Sequence, residues 1–367
     1  MLFSFPQSTM PQLLSILLVS LLGLVGLPDE EIELLFVGDA MQHQPQINAA
    51  TRADGSLDYS QCFTMIEGDI SAADYAVANL EVPLAGKPYA GYPVFSGPDE
   101  FARQLKNSGF DLLLTANNHC LDRGSRGLRR TIATLASMGI PSIGTYNSAA
   151  HRDSVMPFIT GIKGRRIAVL TYTYGTNGMP VRDGIVVDHI DRAAMHRDIA
   201  QARRNGAQVI CVCLHWGIEY RRTPDKAQEE LADFLIDEGV DLIIGSHPHV
   251  VQPFEIRYSP RHGKNVAIAY SLGNFISNQN DIDSRGGAMA VVKVKLHNGR
   301  PCDVQMGYKL LFCQKPRRGM AGDNYRLIPA SLRDSVRADQ LPEFDRFVQR
   351  TRALLSQHNS TGVEELQ

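Results

Sequence analysis

The chain has 367 residues, and its 37 Lys and Arg residues nearly balance its 39 Asp and Glu residues. This length is compatible with a single α/β core that carries a tail. The near-neutral balance argues against general nucleic-acid binding. The six cysteines include no CxxC pair, so neither a zinc knuckle nor a thioredoxin-like site is predicted.

The N-terminus carries an uncharged run, "LLSILLVSLLGLVGL" at residues 13–27, followed by the acidic "PDEE". The run is short for a membrane span, which needs ~20 apolar residues. No Lys or Arg precedes it, and no clear small-residue cleavage site follows. A buried core helix is the alternative, but the run is apolar on every face. We predict that residues 1–30 form a hydrophobic export signal or membrane anchor.

From residue 32 onward, short apolar runs alternate with segments of helical period, which indicates an α/β fold. Strands are predicted at 32–38, 75–81, 110–116, 165–173, 208–216, 240–246 and 265–273, and edge or antiparallel strands at 288–296 and 304–312. Helices are predicted at 125–138, 191–204 and 224–238. Thr223 is the expected cap of the last helix, Pro224 its first residue, and Gly139 and Gly239 are expected stops. We expect one principal domain over residues 31–313 and a polar helical C-terminal extension over 314–367.

Polar residues able to bind metal follow strand after strand of this predicted core. They are Asp39, Asn79, Glu81, Asn117, Asn118, His119, Asp122, His215, Glu219, His247 and His249. Ligands of open α/β sheets collect at the carboxyl ends of strands. In an extended chain residues i and i+2 point to the same side, so we expect "HPH" at 247–249 to direct both imidazoles to one object.

Each of these residues also has a structural interpretation. Asp39 could cap a turn, Asn118 could occupy a left-handed turn, and His215 could be a satisfied core histidine. Their coincidence at one sheet edge favours function, because Asp39 and Glu81 packed beside three imidazoles would repel each other without a cation. Carboxylate, amide and imidazole ligands suit Mn, Fe or Zn. A dinuclear centre needs a bridging carboxylate, and Glu81 is the candidate.

His119 directly follows Asn118, and neighbouring side chains of an extended segment point in opposite directions. If Asn118 is a ligand, His119 faces the substrate, where Asp122 can hold its tautomer. This arrangement predicts a general acid or a phosphate contact. An alternative, compatible with the first, is that Asp122 caps the helix beginning near Gly124.

The chain resembles the bacterial capsule-synthesis or poly-γ-glutamate biosynthesis family (CapA-like), a branch of the calcineurin-like metallophosphoesterase superfamily. The resemblance spans about residues 33–280. It rests on "NLEVPL" (79–84), "GFDLLLTANNHCLDRGSRGLRRTIATLASMGI" (109–140), "HWGIEY" (215–220), "GVDLIIGSHPHVVQPFE" (239–255) and "YSLGNFI" (270–276). It implies a four-layer α/β/β/α sandwich with two divalent transition metals between the loops of the sheets. It also implies a location in the bacterial cell envelope, periplasmic or membrane-anchored.

By position, the resemblance implies metal ligation by Asp39, Glu81, Asn118, His215, His247 and His249. His247 would serve the ion shared with Asn118 and His215, and His249 the ion shared with Asp39. The first superfamily motif usually reads Asp-x-His, whereas Met41 stands at the histidine position here. A thioether is a poor ligand for a hard ion, so the Asp39-side ion is weakly held, absent, or completed by His43 or Glu219.

These residues predict a metal-dependent hydrolase of a phosphoester or amide-polymer bond, with His119 and Asp122 in catalysis. The predicted substrate contacts are Asn79, Asn117, Glu219, Arg221 and Asn274. Expected partners are an anionic polymer or phosphoester substrate and membrane-bound polymer-synthesis proteins. The rival prediction is a non-catalytic, envelope-anchored subunit that assembles or exports an anionic polymer. A cytosolic phosphatase is the third possibility, if residues 1–30 are not an export segment.

Overall fold

A computed structural model describes residues 30–367, so the predicted export segment lies outside the described residues except for Glu30. In chain order the strands are β1 (Glu30–Ala40), β2 (Tyr75–Leu80), β3 (Leu112–Leu114), β4 (Ser142–Ile143), β5 (Thr145–Tyr146), β6 (Phe158–Ile162), β7 (Arg165–Thr173), β8 (Val186–Val187), β9 (Val209–His215), β10 (Leu242–Ser246), β11 (Phe254–Ser259), β12 (Lys264–Ala269), β13 (Asn274–Ile276), β14 (Gly286–His297), β15 (Arg300–Gln314), β16 (Arg326–Pro329) and β17 (Glu364–Glu365). The helices are α1 (Gln44–Ala50), α2 (Glu67–Ala72), α3 (Asp99–Asn107), α4 (Gly124–Ser137), α5 (Ala149–Val155), α6 (Arg192–Arg204), α7 (Lys226–Asp237) and α8 (Leu341–His358).

Two large sheets dominate residues 30–367. The first has the strand order β16-β15-β14-β1-β2-β3-β4, with β13 beside β1 and β17 beside β15. The second has the order β11-β12-β10-β9-β7-β6. In the first sheet, β1, β2, β3 and β4 run parallel, and in the second β7, β9, β10 and β12 do. The carboxyl ends of parallel strands therefore collect along one edge of each sheet.

The sheets pack face to face with helices outside. Along β1, Leu34 and Phe36 point into the core that contains the second sheet, whereas Leu35 and Val37 point to the opposite core with α3 and β2. This alternation is the period of an extended strand with both faces buried. Apolar residues of α6 and α7, such as Ile199 and Leu235, cover the second sheet. The predicted four-layer α/β/β/α sandwich is confirmed.

Most predicted elements overlap observed ones, and the two late alternating runs form the antiparallel pair β14 and β15. Gly139 and Gly239 follow α4 and α7 with φ of 64° and 77°, as helix stops require. The predicted Thr223 cap is wrong. Asp225 caps α7, because its carboxylate accepts the backbone N–H of Gln228 while the Gln228 side chain bonds back to the Asp225 backbone.

The predicted C-terminal extension, residues 314–367, contains the expected helix α8 and more. It also adds β16 and β17 to the first sheet. Phe344 and Phe347 of α8 are buried against Phe312 of β15. The segment therefore completes the sheet that carries half of the candidate site. Within the described chain, no helix is both long and apolar enough to cross a membrane.

Candidate metal centre

The carboxyl ends of the two sheets meet and bring all six predicted metal ligands together. Asp39 is the penultimate residue of β1 and Glu81 directly follows β2, so the first sheet supplies the carboxylates. His215 ends β9, and His247 and His249 follow β10, so the second sheet supplies the imidazoles. None of these five side chains is more than 3% exposed.

The ligand atoms form two groups of three that share one carboxylate. Oxygen and nitrogen atoms of Glu81, His215 and His247 lie within 4.8 Å of one another, as do those of Asp39, Glu81 and His249. His249 Nδ1 lies 3.0 Å from Asp39 Oδ2, and His215 Nε2 lies 3.5 Å from Glu81 Oε1. The amide oxygen of Asn118 lies 2.9 Å from His215 Nε2, which adds it to the first group. Glu81 occupies the position that a bridging carboxylate needs.

The two carboxylates are buried close together, and the charge of Glu81 has no hydrogen-bond partner among the described residues. Both oxygens of Glu81 are fully buried and have no hydrogen-bond partner within residues 30–367. Burial and then the charge of Asp39 raise the pKa of Glu81 well above its usual value. Burial also raises the pKa of Asp39, but the hydrogen bond and charge of His249 outweigh it and lower that pKa overall.

Two of the imidazoles, those of His215 and His247, are in the neutral form that binds metal. Burial and then the charge of His249 lower the pKa of His247 to about 3. Burial and then the charge of His247 lower the pKa of His215 well below its usual value. Neutral imidazole is the ligand form, and the buried Nδ1 of His247 has no hydrogen-bond partner in the described chain. Unpartnered carboxylate oxygens and an unpartnered imidazole nitrogen at one point fit divalent transition metals.

His247 and His249 converge for a different reason from the one the sequence suggested. Strand β10 ends at Ser246, and the two histidines have φ of 101° and 59°. An extended segment is therefore wrong here, because both residues lie in the left-handed region that side chains rarely adopt. The turn also places the backbone N–H of His247 3.3 Å from both carboxylate oxygens of Asp39. Strain of this kind is typical of functional sites.

Three predicted substrate contacts are buried behind the ligands instead. Asn79 Nδ2 donates to Asp39 Oδ1 at 2.8 Å, and Asn117 Nδ2 donates to the Leu80 carbonyl at 2.9 Å. Asn274 donates to Gln279 and to a backbone carbonyl. All three are at most 2% exposed, so the geometry does not support their contact with substrate. Asn79 and Asn117 support Asp39 and the strand end before Glu81, whereas Asn274 holds the loop that contains Gln279 and Ser284.

The sequence did not indicate Asn177, which orients a ligand. Its Oδ1 accepts a hydrogen bond of 3.2 Å from Asn118 Nδ2. This bond leaves the Oδ1 of Asn118 directed toward His215. The signal in the sequence was the Asn-Gly pair at 177–178, which predicts a turn, and both residues do have positive φ. A turn signal does not reveal that its side chain reaches a strand end 59 residues earlier.

His119 and Asp122 form the pair that their spacing suggested. His119 Nδ1 lies 2.8 Å from Asp122 Oδ2, and the same oxygen accepts the backbone N–H of Phe95 at 2.7 Å. The alternative in which Asp122 caps α4 is wrong, since Arg123 occupies the N-cap position. The Phe95 ring packs edge-on against the imidazole at 4.6 Å. With Nδ1 engaged, Nε2 is the nitrogen left free for chemistry.

A cleft of about 610 Å³ opens over the centre. Its walls include His119, His249 and Glu219, whereas Arg221 is exposed on the surface and does not line it. Met41 also lines the cleft, at the position where the superfamily usually has a histidine. His43 lies in the cleft wall too, but it belongs to neither group of ligand atoms and bonds to Gln46.

Comparison with known proteins places the chain in a family. The sequence profile of the bacterial capsule synthesis protein PGA_cap matches residues 33–279. The chain belongs to this family. The PGA biosynthesis protein CapA of Bacillus subtilis (strain 168) is 28% identical over 73% of this chain and 69% of its own length. The capsule biosynthesis protein CapA of Bacillus anthracis is 27% identical over 68% of this chain. The match covers 61% of the length of this second relative.

Among solved structures, the Haemophilus influenzae NAD nucleotidase NadN is similar in fold. The TM-score is 0.51 at 12% sequence identity, over 93% of this chain and 58% of NadN. At this identity the likeness concerns the fold alone. The matched region of the family profile, residues 33–279, contains every one of the six predicted ligands.

Proposed function

We propose that this protein is a metal-dependent hydrolase of a phosphoester or amide bond in the metabolism of an envelope polymer such as capsule poly-γ-glutamate. One observation carries the proposal. Glu81 is a fully buried carboxylate with no hydrogen-bond partner within residues 30–367, and it lies between two groups of ligand atoms. Burying such a charge costs several kcal/mol unless a cation compensates it.

The residues present would hold two divalent transition metals. Glu81, His215, His247 and Asn118 would hold one ion, and Asp39, Glu81 and His249 the other. Bound there, such ions supply an activated water and neutralise charge on the substrate oxygens. The Asp39 side has fewer protein ligands, because Met41 offers only a thioether. We therefore propose that it is the weaker of the two sites.

The protein's own residues complete the reaction around the bond that breaks. For a phosphoester, the oxygen of water would form a bond to phosphorus and release a proton to solvent, while the bond from phosphorus to the alcohol oxygen breaks. His119 lines the cleft and would donate its Nε2 proton to that departing oxygen. Asp122 accepts the Nδ1–H of the same ring, so the proton that the imidazolium form would transfer is the one on Nε2. The Phe95 backbone N–H holds Asp122 in place.

A substitution at His247 tests the proposal directly. In the full chain reconstituted with Mn, Fe or Zn, His247→Ala should abolish metal-dependent hydrolysis of simple phosphoesters and γ-glutamyl amides. His196→Ala is the matched control, since His196 is an exposed histidine on α6. Circular dichroism should show both variants folded. Undiminished metal-dependent turnover in a folded His247→Ala protein would sink the proposal.

A second candidate is a non-catalytic subunit, anchored at the envelope, that helps membrane-bound enzymes assemble or export an anionic polymer. The names of the Bacillus relatives, which refer to biosynthesis, and Met41 at a ligand position support it. The buried pair of His119 and Asp122 favours the enzyme, because a structural metal site has no use for an unligated imidazole facing the cleft. Cell fractionation combined with the turnover assay separates the two.

A further inference from the structure

The wall of the cleft beyond the metal centre has an unexpected charge. Among the residues of the described chain that line it there is neither Lys nor Arg, whereas Glu219 and Asp281 are both present. A polymer such as poly-γ-glutamate carries one carboxylate per residue, and recognition of such a chain calls for Arg or Lys along its path. The cleft offers positive charge only where metal would bind. Its walls would repel a polyanion.

A cationic side chain, that of Lys315, supports this wall without lining the cleft. Lys315 Nζ donates to the Asn278 carbonyl at 3.1 Å and to Asn280 Oδ1 at 2.5 Å. The Tyr325 hydroxyl donates to Asn278 Oδ1. These bonds hold the loop that forms one side of the cleft from behind. Lys315 is therefore used to fix neutral amides in position and does not line the cavity.

The same anchoring leaves amide donors available to a ligand. Asn177, Asn278 and Asn280 all line the cleft, and each engages its amide oxygen with the protein. Their Nδ2 groups have no hydrogen-bond partner within residues 30–367. The Glu219 carboxylate in the same wall provides an acceptor, and it too has no ion-pair partner in the described part of the chain. The wall thus offers both hydrogen-bond donors and an acceptor, and among the described residues no Lys or Arg lines it.

An exposed aromatic ring completes the wall. Tyr220 is 52% exposed, has a φ of 64°, and packs its ring 6.1 Å from that of His249. Gln279 Nε2 donates to the Tyr220 hydroxyl at 3.3 Å, while Gln279 Oε1 accepts from Asn274. The ring is thus braced at the edge of the metal centre with a flat face open to solvent. Tyr92, at 74% exposed, lies in the same lining.

We infer that the part of the substrate outside the metal centre is an uncharged, hydroxyl-rich carbohydrate group, so that the substrate class is a sugar phosphoester. A sugar offers hydroxyl groups that both donate and accept, and an apolar C–H face that packs on a ring such as Tyr220. The single phosphate lies at the metal centre, which supplies the positive charge. This inference rests on the proposed hydrolase function and narrows its substrate.

Two phosphorus probes test the inference on the full, metal-loaded chain. Isothermal titration calorimetry compares the phosphonate analogue of glucose 6-phosphate with ethylphosphonate, which lacks the sugar. The sugar analogue should bind about tenfold more tightly or better, the sum of a ring contact and a few hydrogen bonds. γ-linked pentaglutamate should not displace it. Equal affinity for the two phosphonates, or displacement by pentaglutamate at lower concentration than by the sugar, would overturn the inference.

Substitution of an aromatic ring tests whether the preference for the sugar phosphonate arises in the cleft. Tyr220→Leu should remove most of the preference for the sugar phosphonate. Tyr258→Leu is the control, because Tyr258 is 61% exposed on β11 and lies outside the cleft lining, and it should keep the full preference. Equal loss in both variants would contradict a role for the cleft ring.

Hydrolysis of ethyl phosphate distinguishes failure of the hydrolase proposal from failure of the carbohydrate inference. If ethyl phosphate and the glucose phosphate are cleaved with equal kcat/KM, the hydrolase proposal stands and the carbohydrate inference fails. If neither is cleaved and neither phosphonate binds, the proposed function fails and the inference fails with it. The expected result is cleavage of both, with kcat/KM about tenfold or more in favour of the sugar ester.

Discussion

The two sheets contribute different chemistry to the same site. The first sheet ends in carboxylates and amides, and the second ends in imidazoles. At the end of the first sheet, burial and then the charge of Asp39 raise the pKa of Glu81, and at the end of the second, burial lowers the pKa of His215 and of His247 and keeps both rings neutral. Neither edge alone offers a complete ligand set. The difference indicates that a metal centre forms only where the sandwich joins the two edges.

The largest expected effect comes from Glu81, the residue shared by both ligand groups. Glu81→Gln keeps the volume and removes the charge, so both ions should be lost and turnover should fall below detection. Without the buried charge, the metal-free variant should be more stable than the metal-free parent, because burial and Asp39 both oppose ionisation of Glu81. Elemental analysis and urea unfolding measure the two effects.

Glu229→Gln, an exposed carboxylate on α7, is the matched control and should change neither quantity. A Glu81→Gln protein that retains two ions would show that this carboxylate is no bridge.

A smaller effect is expected for His119, the proposed proton donor, which belongs to neither group of ligand atoms. His119→Ala should lower kcat about 10²–10⁴-fold for alkyl phosphoesters while two ions remain bound. The loss should be much smaller for p-nitrophenyl esters, whose leaving group needs no proton. An equal loss for both leaving groups would assign His119 to binding or structure instead.

Asn177 links the two sheets. It lies in the loop that follows β7 of the second sheet, and it accepts a hydrogen bond from Asn118, the candidate amide ligand of the first sheet. Asn177→Leu removes the acceptor for Asn118 Nδ2, and metal affinity should fall about 10–100-fold, the usual range for such supporting bonds. Asn177→Asp keeps an acceptor and should restore most of the affinity. Competition with a fluorescent chelator measures both. If Asp fails to rescue, the bond to Asn118 is not the cause.

The smallest effect is the acid response of the metal-free protein. His247 has a folded pKa of about 3 against 6.5 unfolded, so the unfolded state binds more protons and stability falls as pH drops through this window. Glu81 acts in the opposite sense above the ordinary glutamate pKa of 4.5, because its folded pKa is raised and the folded state holds the proton. In chelator, Glu81→Gln should therefore steepen the acid loss between pH 6.5 and 4.5 by up to about 1.4 kcal/mol per pH unit.

Urea unfolding of the parent and of Glu81→Gln at several pH values measures the two slopes. Identical slopes would mean that Glu81 is not protonated in the metal-free fold.

Much of this fold could be predicted because the sandwich buries both faces of its parallel strands, which leaves continuous apolar runs such as those of β1 and β9. The convergence of the six candidate ligands was predictable for a related reason, since parallel strands end at one edge. The left-handed conformation of His247 was not, because nothing local in "SHPH" demands a positive φ; it follows from the approach of its backbone N–H to Asp39.

The amides were the hardest to interpret from the sequence. The sequence does not show whether an asparagine faces the cleft or supports the residues around it. That position is set by tertiary contacts, as the hydrogen bonds of Asn79, Asn117, Asn177 and Asn274 show. The same holds for Lys315, which bonds to the cleft loop and does not line the cavity. A sequence shows which residues are charged, but it does not show which surface their side chains reach.

The central claim is that the two sheet edges jointly bind two metal ions through Glu81. The most direct measurement is the metal content of the purified full chain after reconstitution with Mn, Fe and Zn in turn, by elemental mass spectrometry, beside His247→Ala and its control His196→Ala. The account predicts about two ions per chain in the parent and the control, and one or none in His247→Ala. No bound metal in the parent, or a content unchanged by His247→Ala, would contradict it.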